Sequence, residues 1–287
     1  MYEKRWNRRQ FLCLASLAGF GAIYSQRSTS AQTLSTYSQT VLAKNPVGYW
    51  RLGELQTGTM FDSSKNKRHG KYYGKPIFSE KGAIQCNTNK AVKFGNAVTY
   101  GEVANQRSFS QPTSGKGLTV EVWMRPDALE FTTEEEGYIH WLGKGESDRH
   151  EWALRFYRKS SERPNRISAY IWNPSGGLGA GAYFQDVVET KKWLHIVATY
   201  DPGDKTNPMA GVSIYKNGQL RMSPSTSPAA RYKQYDILPA QGTAPLRFGT
   251  RDLKTFLVGA LDEVAIYPRV LSSTEILAHY KLATRSC

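Results

Sequence analysis

The run Leu118-Thr119-Val120-Glu121-Val122-Trp123-Met124-Arg125 constrains this chain more than any other stretch. Leu118, Val120, Val122 and Met124 share one side of an extended backbone, and Thr119, Glu121, Trp123 and Arg125 share the other, which is the period-2 signature of a β-strand. Pro126 cannot donate to a ladder and ends the run. Leu194-His195-Ile196-Val197-Ala198-Thr199-Tyr200 is a second such run, closed by the turn residues Asp201-Pro202-Gly203-Asp204. Val212-Ser213-Ile214-Tyr215 leads into Lys216-Asn217-Gly218, and Asn-Gly is a strong hairpin signal because both residues accept positive φ. Ala260 to Tyr267 reads as a late strand.

A helix is signalled once, at the far end of the chain. Ser272 and Glu275 have capping-box spacing, and Ile276, Leu277 and Tyr280 recur at helical intervals. Elsewhere Gly, Pro and Asn punctuate short β-type runs, so the fold class is all-β, with residues 128–190 and 219–245 read as long loops. No stretch after Gln32 is apolar enough for a transmembrane helix, and no 20–50-residue period recurs. A chain of 287 residues accommodates one large sandwich.

The first residues have a different character. Lys4-Arg5 and Arg8-Arg9 precede an apolar run from Phe11 to Ile23 that is too short for a permanent anchor, and Thr29-Ser30-Ala31 supplies small residues for cleavage. Arg8-Arg9 followed by Phe-Leu resembles a twin-arginine export signal. The expected division is therefore a signal peptide over 1–31, a polar leader over 32–40, one domain over 41–283 and a tail over 284–287. The expected location is periplasm, cell surface or medium. Residues 1–31 carry five Lys/Arg against Glu3, so the formal +14 leaves about +10 beyond them, a balance that favours anionic partners. Cys86 and Cys287 remain after the signal, and an oxidising compartment would let them pair.

Taken in order, several motifs resemble the laminin G-like jelly-roll modules of bacterial exported proteins, within the concanavalin A-like superfamily. Asn45-Pro46-Val47-Gly48-Tyr49-Trp50-Arg51-Leu52-Gly53-Glu54 is similar to the opening strand, and Phe61-Asp62-Ser63-Ser64 through His69-Gly70 to the turn that follows. Ala91 to Phe94, Leu118 to Pro126, Trp193 to Tyr200, Tyr215 to Gly218 and Gly259 to Tyr267 continue the series, which spans roughly residues 41–283. The resemblance implies a two-sheet antiparallel sandwich with one short C-terminal helix. It implies no single function, since the fold hosts lectins, hydrolases, adhesion modules and spacers.

It also implies a calcium ion, which family members hold through the aspartate at the position of Asp262, with Glu54 and Asp62 as the early acids able to join it. A retaining glycosidase would need two carboxylates about 5–5.5 Å apart on one strand face. The spaced pairs Glu134/Glu136, Glu146/Asp148 and Asp201/Asp204 all sit in loop-like sequence, and Glu121 has no acidic neighbour on its face. Glu121 is expected to pair with a basic group or a hydroxyl. No serine elbow, zinc motif or phosphate loop is present, and His69, His140, His150, His195 and His279 lack metal-ligand spacing.

Aromatic and basic residues interleave over 138–186. Trp152, Trp172 and Tyr183 are candidates to stack on a sugar ring, and Arg155, Arg158 and Arg166 to meet its acidic groups. The bland alternative makes Trp152 and Trp172 core. The leading expectation is a non-catalytic module for a glycan or glycoprotein, followed by an adhesion module and then a divergent polysaccharide hydrolase. No nucleic-acid motif is visible, and no feature sets an oligomeric state.

Overall fold

The structure is a computed structural model and describes residues 36–56, 58–95, 98–110, 117–131, 137–146, 149–203 and 209–287. The signal read over 1–31, with Arg8 and Arg9, lies outside them, as does the pair Glu134/Glu136. In chain order the elements are α1 (Thr36–Ala43), β1 (Gly48–Trp50), β2 (Thr59–Met60), β3 (Gly70–Tyr73), β4 (Ile77–Lys81), β5 (Lys90–Phe94) and β6 (Tyr100–Val103). Then come β7 (Leu118–Pro126), β8 (Tyr138–Glu146), β9 (Arg149–Tyr157), β10 (Ile167–Ile171), β11 (Ala180–Phe184) and β12 (Leu194–Asp201). The last are β13 (Gly211–Lys216), β14 (Gln219–Met222), β15 (Leu246–Phe248), β16 (Gly259–Tyr267) and α2 (Ser273–Thr284).

Two antiparallel sheets of eight strands form the sandwich. The first runs β14-β13-β12-β7-β16-β5-β4 with β1 also on β16, and the second runs β11-β10-β9-β8-β15-β6-β3-β2. Their facing sides enclose one core. Val120, Val122 and Met124 of β7 belong to it, together with Trp152, Leu154 and Phe156 of β9.

The other side of the first sheet is covered as well. Tyr37 and Val41 of α1 and Ile276 of α2 pack with Trp123, Val197 and Tyr267 in a second apolar layer. Both faces of β7 are therefore buried, although its sequence alternates. Glu121 is the polar hub of that layer: it accepts from the hydroxyls of Tyr37 (3.0 Å) and Tyr267 (2.7 Å), and the rings of His195 (2.9 Å) and His279 (3.0 Å) meet it. The expected pairing of Glu121 with basic groups and hydroxyls is what the fold uses. Trp123 is buried, whereas Trp193 is half-buried beneath the Arg125 guanidinium.

Two expectations change. Residues 36–40, read as leader, belong to α1, which has no charged residue at either end and is held by docking Tyr37 and Val41. Residues 128–190, read as holding a long loop, contain β8 to β11, and the other such region, 219–245, opens with β14. The C-terminal helix has its capping box, with Ser272 Oγ accepting from the Glu275 N–H at 3.2 Å and Glu275 accepting from the Ser272 N–H at 3.0 Å. Cys86 and Cys287 form a disulfide, and the Gln85 N–H donates to the Ala283 carbonyl nearby. Among the described residues no helix is long and apolar enough to cross a membrane.

Candidate binding site

Both helices lie on the first sheet, so the outward side of the second sheet is covered by its own aromatic and basic side chains, of which Tyr138, Tyr157, Trp172 and Arg251 are buried and Arg155, Arg166, Tyr170 and Tyr183 half-buried. Alternation decides which ones. Trp152, Leu154 and Phe156 point inward from β9, leaving Arg155 and Tyr157 outward. From β10, Ile167, Ala169 and Ile171 point inward, leaving Ser168 and Tyr170 outward, and Trp172 follows on that side. The register sets Arg155 beside both His140 and Ser168, and Ser168 beside Tyr183. Gly181 stands opposite Tyr170; a Cβ there would meet the Tyr170 ring at 2.6 Å, so glycine lets that ring lie against the sheet.

Arginines and rings alternate along this face. The Arg155 guanidinium lies 4.2, 4.6 and 4.7 Å from the ring centres of Tyr138, Tyr170 and Trp172. Arg251, from the loop after β15, approaches Trp172 at 5.2 Å, and Arg166 lies 3.8 Å from Tyr183. Such contacts each stabilise by ~0.5–2 kcal/mol and hold the guanidinium plane in one orientation.

A polar chain fixes Arg155 further. Its Nε–H donates to His140 Nε2 at 3.0 Å, while His140 Nδ1 lies 3.1 Å from Asp252, which also accepts from Arg251 at 2.8 Å. Burial, assisted by the charges of Arg251 and Arg155, pushes the His140 pKa down to about 4. At neutral pH the ring is therefore uncharged, with its Nδ1–H toward Asp252 and the Nε2 lone pair toward Arg155. Burial alone would raise the Asp252 carboxyl, but the His140 contact and the Arg251 charge hold it well below the usual carboxylate range. His140, His150, Arg155, Trp172 and Arg251 line a recess of about 160 Å³, with Gly176 and Gly177 at its rim. A second, more apolar recess of about 680 Å³ lies by Tyr232, Ile237, Leu238 and Pro239.

Of the residues singled out in the sequence, Trp172 and Arg155 meet at the first recess, and Tyr183 and Arg166 meet further along the same face. Arg158 follows β9, where its N–H donates to the Gly137 carbonyl, apart from both groups. Trp152 is on the opposite side of β9, fully buried, with its indole N–H on the Phe109 carbonyl at 2.8 Å. It has no ring face to offer a sugar. His140, Arg251 and Asp252 were not singled out. No local pattern marks them, because the pairing of β15 with β8 is what brings the Arg251 loop to His140.

The calcium set divides in the same way. Asp262 and Glu263 are consecutive yet both fully buried, because a bulge with Glu263 at φ 51° interrupts β16. Asp262 accepts from the Ala83 N–H at 2.7 Å, and Glu263 meets Arg51 and the Tyr49 hydroxyl. Burial and the neighbouring Glu263 charge push the Asp262 carboxyl far up, and burial pushes Glu263 up to about 7. The carboxamide oxygen of buried Asn89 has no partner among the described residues, while its Nδ2 lies 3.4 Å from Asp262. Two buried acids facing one arginine, beside an orphan oxygen, suit a hard cation. Glu54 and Asp62 are engaged elsewhere in the fold. Glu54 already accepts from the Phe61 N–H and the Tyr72 hydroxyl, and Asp62 from the N–H groups of Tyr49, Ser64 and Arg68. Among the described residues no three His, Cys, Asp or Glu side chains form a metal-binding group.

The sequence profile Laminin_G_3, of the concanavalin A-like lectin/glucanases superfamily, matches residues 95–277. The chain belongs to this family. No curated protein matches it. Similar solved structures include the receptor-binding domain of botulinum neurotoxin mosaic serotype C/D, with TM-score 0.58 and 14% identity over 84% of this chain and 51% of that one. The serotype G binding domain gives TM-score 0.57 and 15% identity over 82% of this chain and 50% of that one. The serotype D domain in complex with N-acetylneuraminic acid gives 0.56 and 14% over 86% and 52%. The chain thus spans about half the length of these neighbours, and at such identity the likeness is one of fold.

Proposed function

We propose that this chain is a non-catalytic binding module that works outside the cytoplasm and holds an acidic glycan, free or on a glycoprotein. The observation that carries this reading is the outward face of the second sheet, where Arg155, Arg166 and Arg251 lie on the rings of Tyr138, Tyr170, Trp172 and Tyr183. The arginines lie over those rings, so it is the guanidiniums that are presented, and fixed guanidiniums suit carboxylate or sulfate. A neighbour of the same fold is known in complex with N-acetylneuraminic acid, which agrees with this reading. Hydrolysis gains no support, because Asp252, the acid behind the recess, is committed to His140 and Arg251.

A glycan array probed with the purified protein tests the reading. Acidic glycans should be retained over their neutral counterparts, and retention should weaken with salt, since exposed charges are screened over about 10 Å at 0.1 M. Arg155→Gln should lower retention by about tenfold in protein that circular dichroism shows to be folded at the assay temperature, the loss of one charge-assisted contact. Equal retention of neutral and acidic glycans would overturn it. A calcium ion at Asp262 and Asn89 would be structural in this scheme, offsetting the buried negative charge.

A further inference from the structure

We propose that the recess between Arg251 and Arg155 is a built subsite for a single anionic group, the carboxylate or sulfate of the bound molecule. This deepens the reading above and rests on it only for what carries the anion. Arg251 is buried, with 4% of its surface exposed. Two of its nitrogens are engaged, by His150 Nδ1 at 3.2 Å and Asp252 at 2.8 Å. Its Nε–H has no acceptor among the described residues. Buried guanidinium donors are normally satisfied, so an orphan beside a recess marks the place of an absent acceptor.

Arg155 is the second guanidinium at the recess. Its Nε–H is taken by His140, and the guanidinium is otherwise enclosed by three aromatic rings, which accept no N–H···O bond. Two guanidiniums therefore converge on a space whose nearby carboxylate is Asp252, leaving one positive charge in excess. Arg247, whose Nη1 donates to the Arg251 carbonyl, adds none, because Glu102 and Glu146 hold it at 2.8 and 2.5 Å. The recess, at about 160 Å³, is well below the ~300–1,000 Å³ of pockets that enclose whole small molecules. It takes one group while the rest of the ligand lies outside it. Gly176 keeps the rim low: a Cβ there would meet the His150 ring at 3.0 Å, and its φ of +84° disfavours any side chain.

The chemistry is shared by carboxylated and sulfated sugars, so the probes are acetate and inorganic sulfate, titrated into the full chain at constant ionic strength. The readout is the arginine Nε–H resonances in ¹H–¹⁵N spectra, because sulfate raises melting temperature without any specific site. Saturable shifts of the Arg251 and Arg155 resonances at millimolar anion are expected. Arg251→Gln should weaken them at least tenfold. Because Arg251 is buried and its loss could unfold the protein, half-buried Arg155→Gln is the second variant, with the same expectation for the Arg251 resonance. Arg149→Gln, at an exposed neighbouring position, should change nothing. Tighter sulfate assigns sulfated sugars, and tighter acetate assigns carboxylated ones. Unsaturable shifts, or shifts indifferent to both variants, overturn the subsite even if the array retains acidic glycans. Saturable binding here with an empty array leaves the subsite standing and removes the glycan reading instead.

Discussion

Replacing Glu121 with alanine should be among the most damaging single changes this fold can receive. The side chain is fully buried and shared by two tyrosine hydroxyls and two histidine rings, from α1, β12, β16 and α2. Its removal leaves those groups buried without their acceptor. Breaking a buried ionic network by deleting one partner costs about 3–5 kcal/mol. For a domain of this size ~1 kcal/mol corresponds to about 2–4 °C, so the melting temperature should fall by roughly 6–20 °C. Glu121→Gln keeps the volume and one acceptor oxygen, and should cost about half as much. The pH dependence adds a second signature. Burial opposes ionisation of Glu121, but the His279 charge and the histidine hydrogen bonds hold its carboxyl well below 4.5; its contribution is present above that value and is lost as pH falls through the lowered folded pKa. Burial opposes protonation of His279, but Glu121 raises its pKa above 6.5; that contribution is complete below 6.5 and is lost as pH rises through the raised value. The network should therefore stabilise most between about pH 4.5 and 6.5, and Glu121→Gln should flatten that maximum. Circular dichroism melts across pH decide the matter. An alanine variant within about 1 kcal/mol of the parent would refute the reasoning.

Trp152→Ala should cost about 3–5 kcal/mol as a core truncation; Trp172 is buried too, so the milder Trp172→Phe is the binding test, and full retention of ligand by that variant would remove Trp172 from the site. Cys287→Ser opens a loop of 201 residues and should destabilise by about 5 kcal/mol on the chain-entropy account, read as a lower urea midpoint that reductant reproduces in the parent. Calcium should raise the melting temperature of the parent and of Glu54→Gln but not of Asp262→Asn, and no response in the parent removes the ion. Changing Arg8 and Arg9 together to lysine should leave precursor in the cytoplasm; normal export of that variant would defeat the signal assignment.

Strands with a polar and an apolar side, or with a sharp turn, were legible in the sequence. Leu118–Pro126 and Leu194–Asp201 are strands, Asn217-Gly218 joins β13 to β14, and the Ser272/Glu275 box opens α2. The region 138–184 was not, although Trp152, Leu154 and Phe156 alternate with Ala153, Arg155 and Tyr157. Its outward residues are themselves apolar or aromatic, because arginines cover them, so the two sides look alike in composition. The alternation alone nevertheless puts Trp152 and Arg155 on opposite sides of an extended chain. The α1 helix was hidden for a different reason: Thr36, Thr40 and Val41 are β-branched, and its stability comes from the sheet beneath it rather than from propensity. Of the candidate site, the arginine-and-aromatic half was visible as a local cluster. Arg251 and Asp252 reach it through strand pairing, which leaves no local trace.

The rings that enclose Arg155 and Arg166 also settle where the entropy of recognition falls. A free arginine on a surface loses roughly 0.5–1.5 kcal/mol of rotamer freedom when a ligand pins it. Here the tyrosines, Trp172 and the Asp252–His140 chain have already fixed the guanidinium planes, so that cost is met during folding. A ligand then meets a rigid stencil of charges. Selectivity on such a surface follows the spacing of anionic groups along the ligand more than their number, and a flexible polyanion of the wrong pitch gains little from its extra charge.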